Sequence, residues 1–165
     1  YKNAKKILKQ TKCDAVKLEG GKKIINIVKY LVKNKIPVMG HIGLLPQSSK
    51  KLKLKGKSFL ERKLILEDAK ALSNSGVFAI VIECVIESLA KKITKNVTIP
   101  TIGIGASKHC DGQILVTEDM LGLSDFSPKF VKKYSNLNKY IEKSVKNYAR
   151  DVRMKKFPYS NNVYR

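Results

Sequence analysis

Apolar and polar positions alternate along this chain in two patterns, short dense apolar runs and longer stretches with helical spacing. Cys13 to Glu19 predicts a strand, and Gly20-Gly21 opens a helix from Lys22 to Asn34 whose Ile24, Ile25, Val28, Leu31 and Val32 recur at helical intervals. Pro37 to His41 predicts a second strand. After a loop over 42–57, a helix runs from Ser58 to about Ser75 with Leu60, Leu64, Ile65, Ala69 and Leu72 on its apolar side, and Gly76 ends it. Val77 to Glu83 is almost unbroken in apolar character, which suits a parallel strand covered on both faces. Ile86 to Asn96 returns as a helix, Ile99 to Ile104 as a strand, and Gln113 to Val116 as a further short strand. Beyond Pro128 the chain reads as helical, with Leu137, Tyr140, Ile141, Ser144, Val145, Tyr148, Ala149 and Val152 in one stripe.

Repeated strand–helix units predict an α/β fold with a parallel sheet and right-handed crossovers, either doubly wound or closed into a barrel. Gly103-x-Gly105 has Lys108 where a dinucleotide site needs its third glycine, so that reading is set aside. No internal linker, repeat or low-complexity run interrupts the pattern.

Composition changes this picture little. At 165 residues, 43% hydrophobic and 28% charged, the chain has the make-up of a globular domain. The formal charge of +21 raises the possibility of a basic nucleic-acid-binding module. However, only four of the 34 basic residues are arginine, and the lysines fall on nearly every helix and loop. The richest run, Lys50 to Lys57, contains no aromatic residue for base stacking. A solvated surface without a nucleic-acid partner is the expectation. Cys13, Cys84 and Cys110 form no framework and are expected to be reduced. No apolar stretch is long enough for a membrane span, so the expected location is the cytoplasm. Because the sequence begins without methionine, it is expected to be part of a longer polypeptide.

Candidate chemistry gathers where apolar strands end. Lys17 and Glu19 leave the same face of one strand just before Gly20-Gly21, His41 closes the next, and Glu83 follows four apolar residues on a third. Delivery of Lys, Glu, His and Glu to one end of a parallel sheet is how barrel enzymes assemble active sites. Taken singly, each residue has a plainer reading: a solvated lysine, a buried ion pair, a core histidine. Glu83 is the hardest to explain that way, because its apolar setting favours a general base. His109-Cys110-Asp111 reads as a polar loop, since adjacent side chains point in different directions.

At these residues the sequence resembles the ketopantoate hydroxymethyltransferase family. The matching segments are Ala15-Val-Lys-Leu-Glu-Gly-Gly21, Pro37-Val-Met-Gly-His-Ile-Gly43 with Pro46-Gln47-Ser48, Ala79-Ile-Val-Ile-Glu-Cys84, Ile99-Pro-Thr-Ile-Gly-Ile-Gly-Ala106 and Asp111-Gly-Gln-Ile-Leu-Val116. The likeness continues through Asp119-Met-Leu-Gly-Leu123 and Lys129-Phe-Val131. It implies a (β/α)8 TIM barrel of the phosphoenolpyruvate/pyruvate type, of which 1–165 would be the C-terminal part of a single domain, about the last five βα units plus C-terminal helices. It also implies Mg2+, 5,10-methylenetetrahydrofolate as one-carbon donor, 3-methyl-2-oxobutanoate as substrate, 2-dehydropantoate as product on the way to coenzyme A, and a homo-oligomer, in the family a decamer. By the same resemblance Lys17 holds the 2-oxo acid, His41 lines its cavity, Glu19 is a metal ligand and Glu83 the proton acceptor.

The chain departs from the family pattern at Leu45 (usually threonine), Ile86 (usually proline) and Ser107 (usually glycine). The family's two magnesium-binding aspartates, and the serine beside them, lie on strands before Lys17, so the 165 residues alone are expected to be inactive. An alternative within the same barrel superfamily is a lyase or mutase acting on another 2-oxo acid.

Overall fold

The computed structural model describes residues 1–49 and 53–164, so Lys50 and Lys51 of the basic run lie outside the described residues. Contacts group the chain into two compact units, Tyr1–Ile114 and Leu115–Arg165. The first unit holds helix α1 (Lys2–Thr11), strand β1 (Val16–Glu19), a 3-10 turn (Lys22–Ile24), α2 (Ile25–Lys33), β2 (Val38–Gly43), α3 (Phe59–Ser73), β3 (Ala79–Glu83), α4 (Glu87–Asn96), β4 (Thr101–Ile104) and β5 (Gly112–Gln113).

The five strands are all parallel and lie side by side in chain order. Double winding requires the order to reverse at a switch point. No reversal occurs here, so the strands are wound in one direction.

Register explains the burial. Val38, Ile42, Ile80 and Ile82 point to the helix-covered face and are 0–2% exposed. They pack against Val28 and Leu31 of α2, Ile65, Ala69 and Leu72 of α3, and Leu89, Ala90 and Ile93 of α4. Covering one such aliphatic side chain completely is favourable by about 1.5–3 kcal/mol, which makes this layer the main source of cohesion. Gly40 lies on the same face because a Cβ there would come 2.9 Å from Leu72 Cδ1.

Several expectations are corrected. Helix α3 buries Ile65, Ala69 and Leu72, whereas Leu60 and Leu64 are 64% and 50% exposed. At about 100° per residue those two leucines sit round the helix from the buried trio. Ser58 caps α3 by accepting from Glu61 N–H, but the helix ends at Ser73 with Asn74 as its cap. Gly76 provides a left-handed residue, φ +83, in the turn beyond. Strand β5 is Gly112–Gln113, shifted back from the expected 113–116, because Ile114 N–H makes the last bond to β4 at Gly103 O. Helix α1 was not foreseen. Ala4, Ile7 and Leu8 of its run KNAKKILKQT stand at helical spacing; Ala4 is buried and Leu8 packs against the core.

In the second unit, α5 (Thr117–Leu121) is followed by α6 (Leu137–Arg153) and a 3-10 turn (Ser160–Asn162). Residues 128–136 are not helical, so the expected C-terminal helix starts only at Leu137. The stripe is present on α6, yet no residue of this helix is buried.

Candidate functional site

Opposite the helix-covered face, the register aligns Glu19 with His41, His41 with Val81, Gly43 with Glu83, and Glu83 with Ile104. The sheet thereby brings Glu19 and Glu83, the last residues of β1 and β3, to one side with His41, which lies two residues before the end of β2 because that strand runs on past the expected 37–41 to Gly43. His41 is completely buried. Its Nδ1 lies 3.7 Å from Glu19 Oε1 and its Nε2 lies 3.2 Å from Glu83 Oε2. The first is too long for a hydrogen bond and the second is not aligned as one, so among the described residues neither buried ring nitrogen has a partner. A buried polar group left unbonded costs about 1–3 kcal/mol, an expense that a merely structural histidine avoids by bonding.

The two carboxylates are largely covered, with side-chain exposures of 8% for Glu19 and 16% for Glu83. Glu19 Oε2 accepts from Gln47 N–H at 3.1 Å. Gln47 belongs to the Pro46-Gln47-Ser48 segment, but its contribution is a backbone N–H that a reading of side chains does not reveal. Lys17 stands on the same face of β1 as Glu19, opposite Met39. It is exposed and, among the described residues, makes no ion pair. The structure therefore brings Glu19, His41 and Glu83 together and leaves Lys17 beside them on the open face.

Backbone geometry keeps these ends in place. Gly20 N–H donates to His41 O at 2.9 Å, and Leu44 N–H to Glu83 O at 2.8 Å. Gly43 has φ +92, and a Cβ there would lie 2.3 Å from Glu83 O. Gly21 must also be bare, because a Cβ would sit 2.0 Å from Asp68 Cγ. Asp68 comes from α3 and accepts from Lys22 N–H at 2.7 Å, capping the turn after β1. Burial, and secondarily the Glu83 charge, push the thiol of Cys84 upward.

The His109-Cys110-Asp111 triplet divides as a loop should. His109 is exposed, Cys110 joins the core, and Asp111 accepts from Thr101 N–H at 2.8 Å and Thr101 Oγ1–H at 2.9 Å. The Thr101 backbone bond, followed by the hydroxyl bond, holds the Asp111 carboxyl below its ordinary range. Of the departures, Ser107 is buried and its carbonyl accepts from the Gln113 amide. Ile86 N–H donates to Lys55 O at 3.1 Å, a bond that proline could not make.

Among the described residues no group of three His, Cys, Asp or Glu is arranged to hold a metal ion. Glu19 offers the hard oxygen that a magnesium ion takes, so it fits as one ligand and does not make a complete site.

A parallel sheet wound in one direction, with a buried histidine between two carboxylates at its C-terminal end, defines an α/β protein of enzymatic type. The sequence model of the family described as ketopantoate hydroxymethyltransferase matches residues 1–160, and the chain belongs to that family. It is similar to 3-methyl-2-oxobutanoate hydroxymethyltransferase of Pelagibacter ubique, with 59% identity over 98% of the chain and 63% of that protein. It is also similar to the proteins of that name from Phenylobacterium zucineum, 52% identical over 99% of the chain and 61% of the relative, and from Anaplasma marginale, 49% identical over 99% and 60%. The chain thus spans about three fifths of the length of these relatives.

Proposed function

We propose that this chain carries the proton-abstracting side of a 3-methyl-2-oxobutanoate hydroxymethyltransferase active site. The observation that carries this reading is the Glu83 carboxylate, largely covered at the end of β3 and set 3.2 Å from a buried His41 that has no hydrogen-bond partner. Family membership gives that carboxylate its substrate.

Glu83 accepts the C3 proton of 3-methyl-2-oxobutanoate, and the resulting enolate carbon bonds to the methylene carbon of 5,10-methylenetetrahydrofolate. The carbon–nitrogen bonds to the folate break, water supplies the hydroxyl group, and 2-dehydropantoate and tetrahydrofolate leave. Lys17, the exposed cation on the same face, meets the carboxylate of the 2-oxo acid, and His41 lines the cavity beside Glu83. Glu19 would supply one oxygen to Mg2+, an ion that polarises the keto group when bound.

In this reading the five strands are part of a (β/α)8 barrel, and the complete protein is a cytoplasmic homo-oligomer, decameric as in the family. No helix among the described residues is long and apolar enough to cross a membrane. The test is incubation of the complete protein with 3-methyl-2-oxobutanoate, 5,10-methylenetetrahydrofolate and Mg2+. Appearance of 2-dehydropantoate is expected, and its absence with both substrates bound would contradict the assignment.

A further inference from the structure

The end of β3 is held in place from an element that carries none of the proposed chemistry. Lys55, between β2 and α3, runs parallel to the residues that follow Glu83. Its N–H donates to Cys84 O at 2.7 Å, and its carbonyl accepts from Ile86 N–H at 3.1 Å. Cys84, next to Glu83, has φ +49. A residue with a side chain holds that left-handed conformation only where its surroundings impose it. Two neighbours hold it here: Ile104, whose carbonyl accepts from Cys84 N–H at 2.9 Å, and Lys55, which binds the Cys84 carbonyl.

Helix α3 fixes Lys55 in turn. One oxygen of Glu61 accepts from Gly56 N–H at 2.7 Å and from Lys57 N–H at 3.1 Å. Arg62 Nε–H donates to Gly56 O at 2.8 Å. The other Glu61 oxygen lies 3.8 Å from Lys55 Nζ. Gly56 has φ +82, and a Cβ there would come 2.8 Å from Leu89 Cδ2, so a side chain at this turn would be strained. The pattern Ser58-x-x-Glu61 has the look of a capping box, in which the glutamate returns to the cap's own N–H. Here it reaches further back instead, to the turn that carries Lys55.

We infer that Glu61 is a positioning residue for the reaction: by gripping Gly56 and Lys57 it sets Lys55, which holds Cys84 in its left-handed turn and so aims the Glu83 carboxylate. This rests on the reading of Glu83 as the base. Glu61 also caps the start of α3, and the same oxygen that does so binds both N–H groups next to Lys55.

The experiment compares Glu61→Ala and Glu61→Gln in the complete protein. The same oxygen takes both N–H groups, so the glutamine amide oxygen can replace it and alanine cannot. Two quantities are read. One is C3 hydrogen exchange of 3-methyl-2-oxobutanoate in deuterated water at saturating substrate, expressed per substrate-binding site. The other is alkylation of Cys84 by iodoacetamide relative to exposed Cys13, resolved by peptide mass.

For Glu61→Ala, exchange falls on the order of 10- to 100-fold, as for a misplaced catalytic group, with substrate affinity unchanged and Cys84 alkylated several-fold faster. Glu61→Gln stays within a few-fold of the parent on both. Unchanged exchange and thiol reactivity in Glu61→Ala, equal damage from both variants, or a loss confined to substrate affinity would overturn the inference. Should Glu61→Ala not fold, Arg62→Met, which removes the bonds to Gly56 O and Lys57 O, must move both readouts in the same direction, and no movement overturns it. If the parent shows no C3 exchange, the reading of Glu83 fails, and Cys84 reactivity still decides the grip.

Discussion

Nε2 of His41 lies 3.2 Å from Oε2 of Glu83, across the boundary between β2 and β3, although the two side chains are not aligned to bond. In the proposed reading His41 lines the substrate cavity, and an unbonded buried imidazole there costs stability. His41→Phe keeps the ring volume and removes the unbonded nitrogens, so stability is expected to hold or rise by about 1 kcal/mol. C3 exchange in the complete protein is expected to fall by about tenfold or more, as befits a lost cavity-lining group. Urea unfolding and exchange on the same sample check both, and a variant that is less stable and fully active would reverse this assignment.

Gly43 faces Glu83 in the register, with φ +92 and no room for a side chain. Gly43→Ala must shift the Glu83 carbonyl or leave the left-handed region, either of which disturbs the bond from Leu44 N–H. A loss of at least about 2 kcal/mol is expected from the strained φ and the clash together. Denaturant titration measures it. A neutral substitution would mean that β2 and β3 can part at this point.

How much of this was legible in the sequence depended on what each feature is made of. The run Val77 to Glu83 and the stripe of α2 announce themselves because burial is written in side-chain type, and the register followed from where those runs end. Glu19, His41 and Glu83 could be read as converging because each follows an apolar run, although β2 continues past His41 to Gly43. Helix α1 carries a helical signal too, in Ala4, Ile7 and Leu8, although Ala4 is its only buried residue. Leu60 and Leu64 misled because an exposed leucine looks like a buried one in sequence. Gln47, Gly56 and Lys57 act through backbone N–H groups, which every residue type but proline possesses, so no letter marks them. Asp68 is far along the chain from Lys22, from whose N–H it accepts, until the chain has folded.

Asp111 gives a pH dependence whose sign can be worked out. Thr101 N–H, then Thr101 Oγ1–H, hold its carboxyl below the ordinary range, so the folded form binds this proton less readily than the unfolded one. Its contribution is complete above the unfolded value of about 4 and is lost as the pH falls through the lower folded value. Thr101 is fully buried, and leaving its N–H unbonded costs about 1–3 kcal/mol. Asp111→Ala should therefore lose about that much at neutral pH and progressively less in acid. Unfolding curves between neutral and strongly acidic pH measure the difference, and a deficit that grows in acid would contradict this origin.

The central claim is that Glu83 accepts the C3 proton, and Glu83→Gln in the complete protein tests it most directly. Glutamine keeps the size and can hydrogen-bond, yet cannot accept the proton. Deuterium incorporation at C3 of 3-methyl-2-oxobutanoate in deuterated water, followed by NMR with Mg2+ present, is expected to slow by about 10²- to 10⁴-fold while substrate binding is retained. Exchange within a few-fold of the parent would place the base elsewhere.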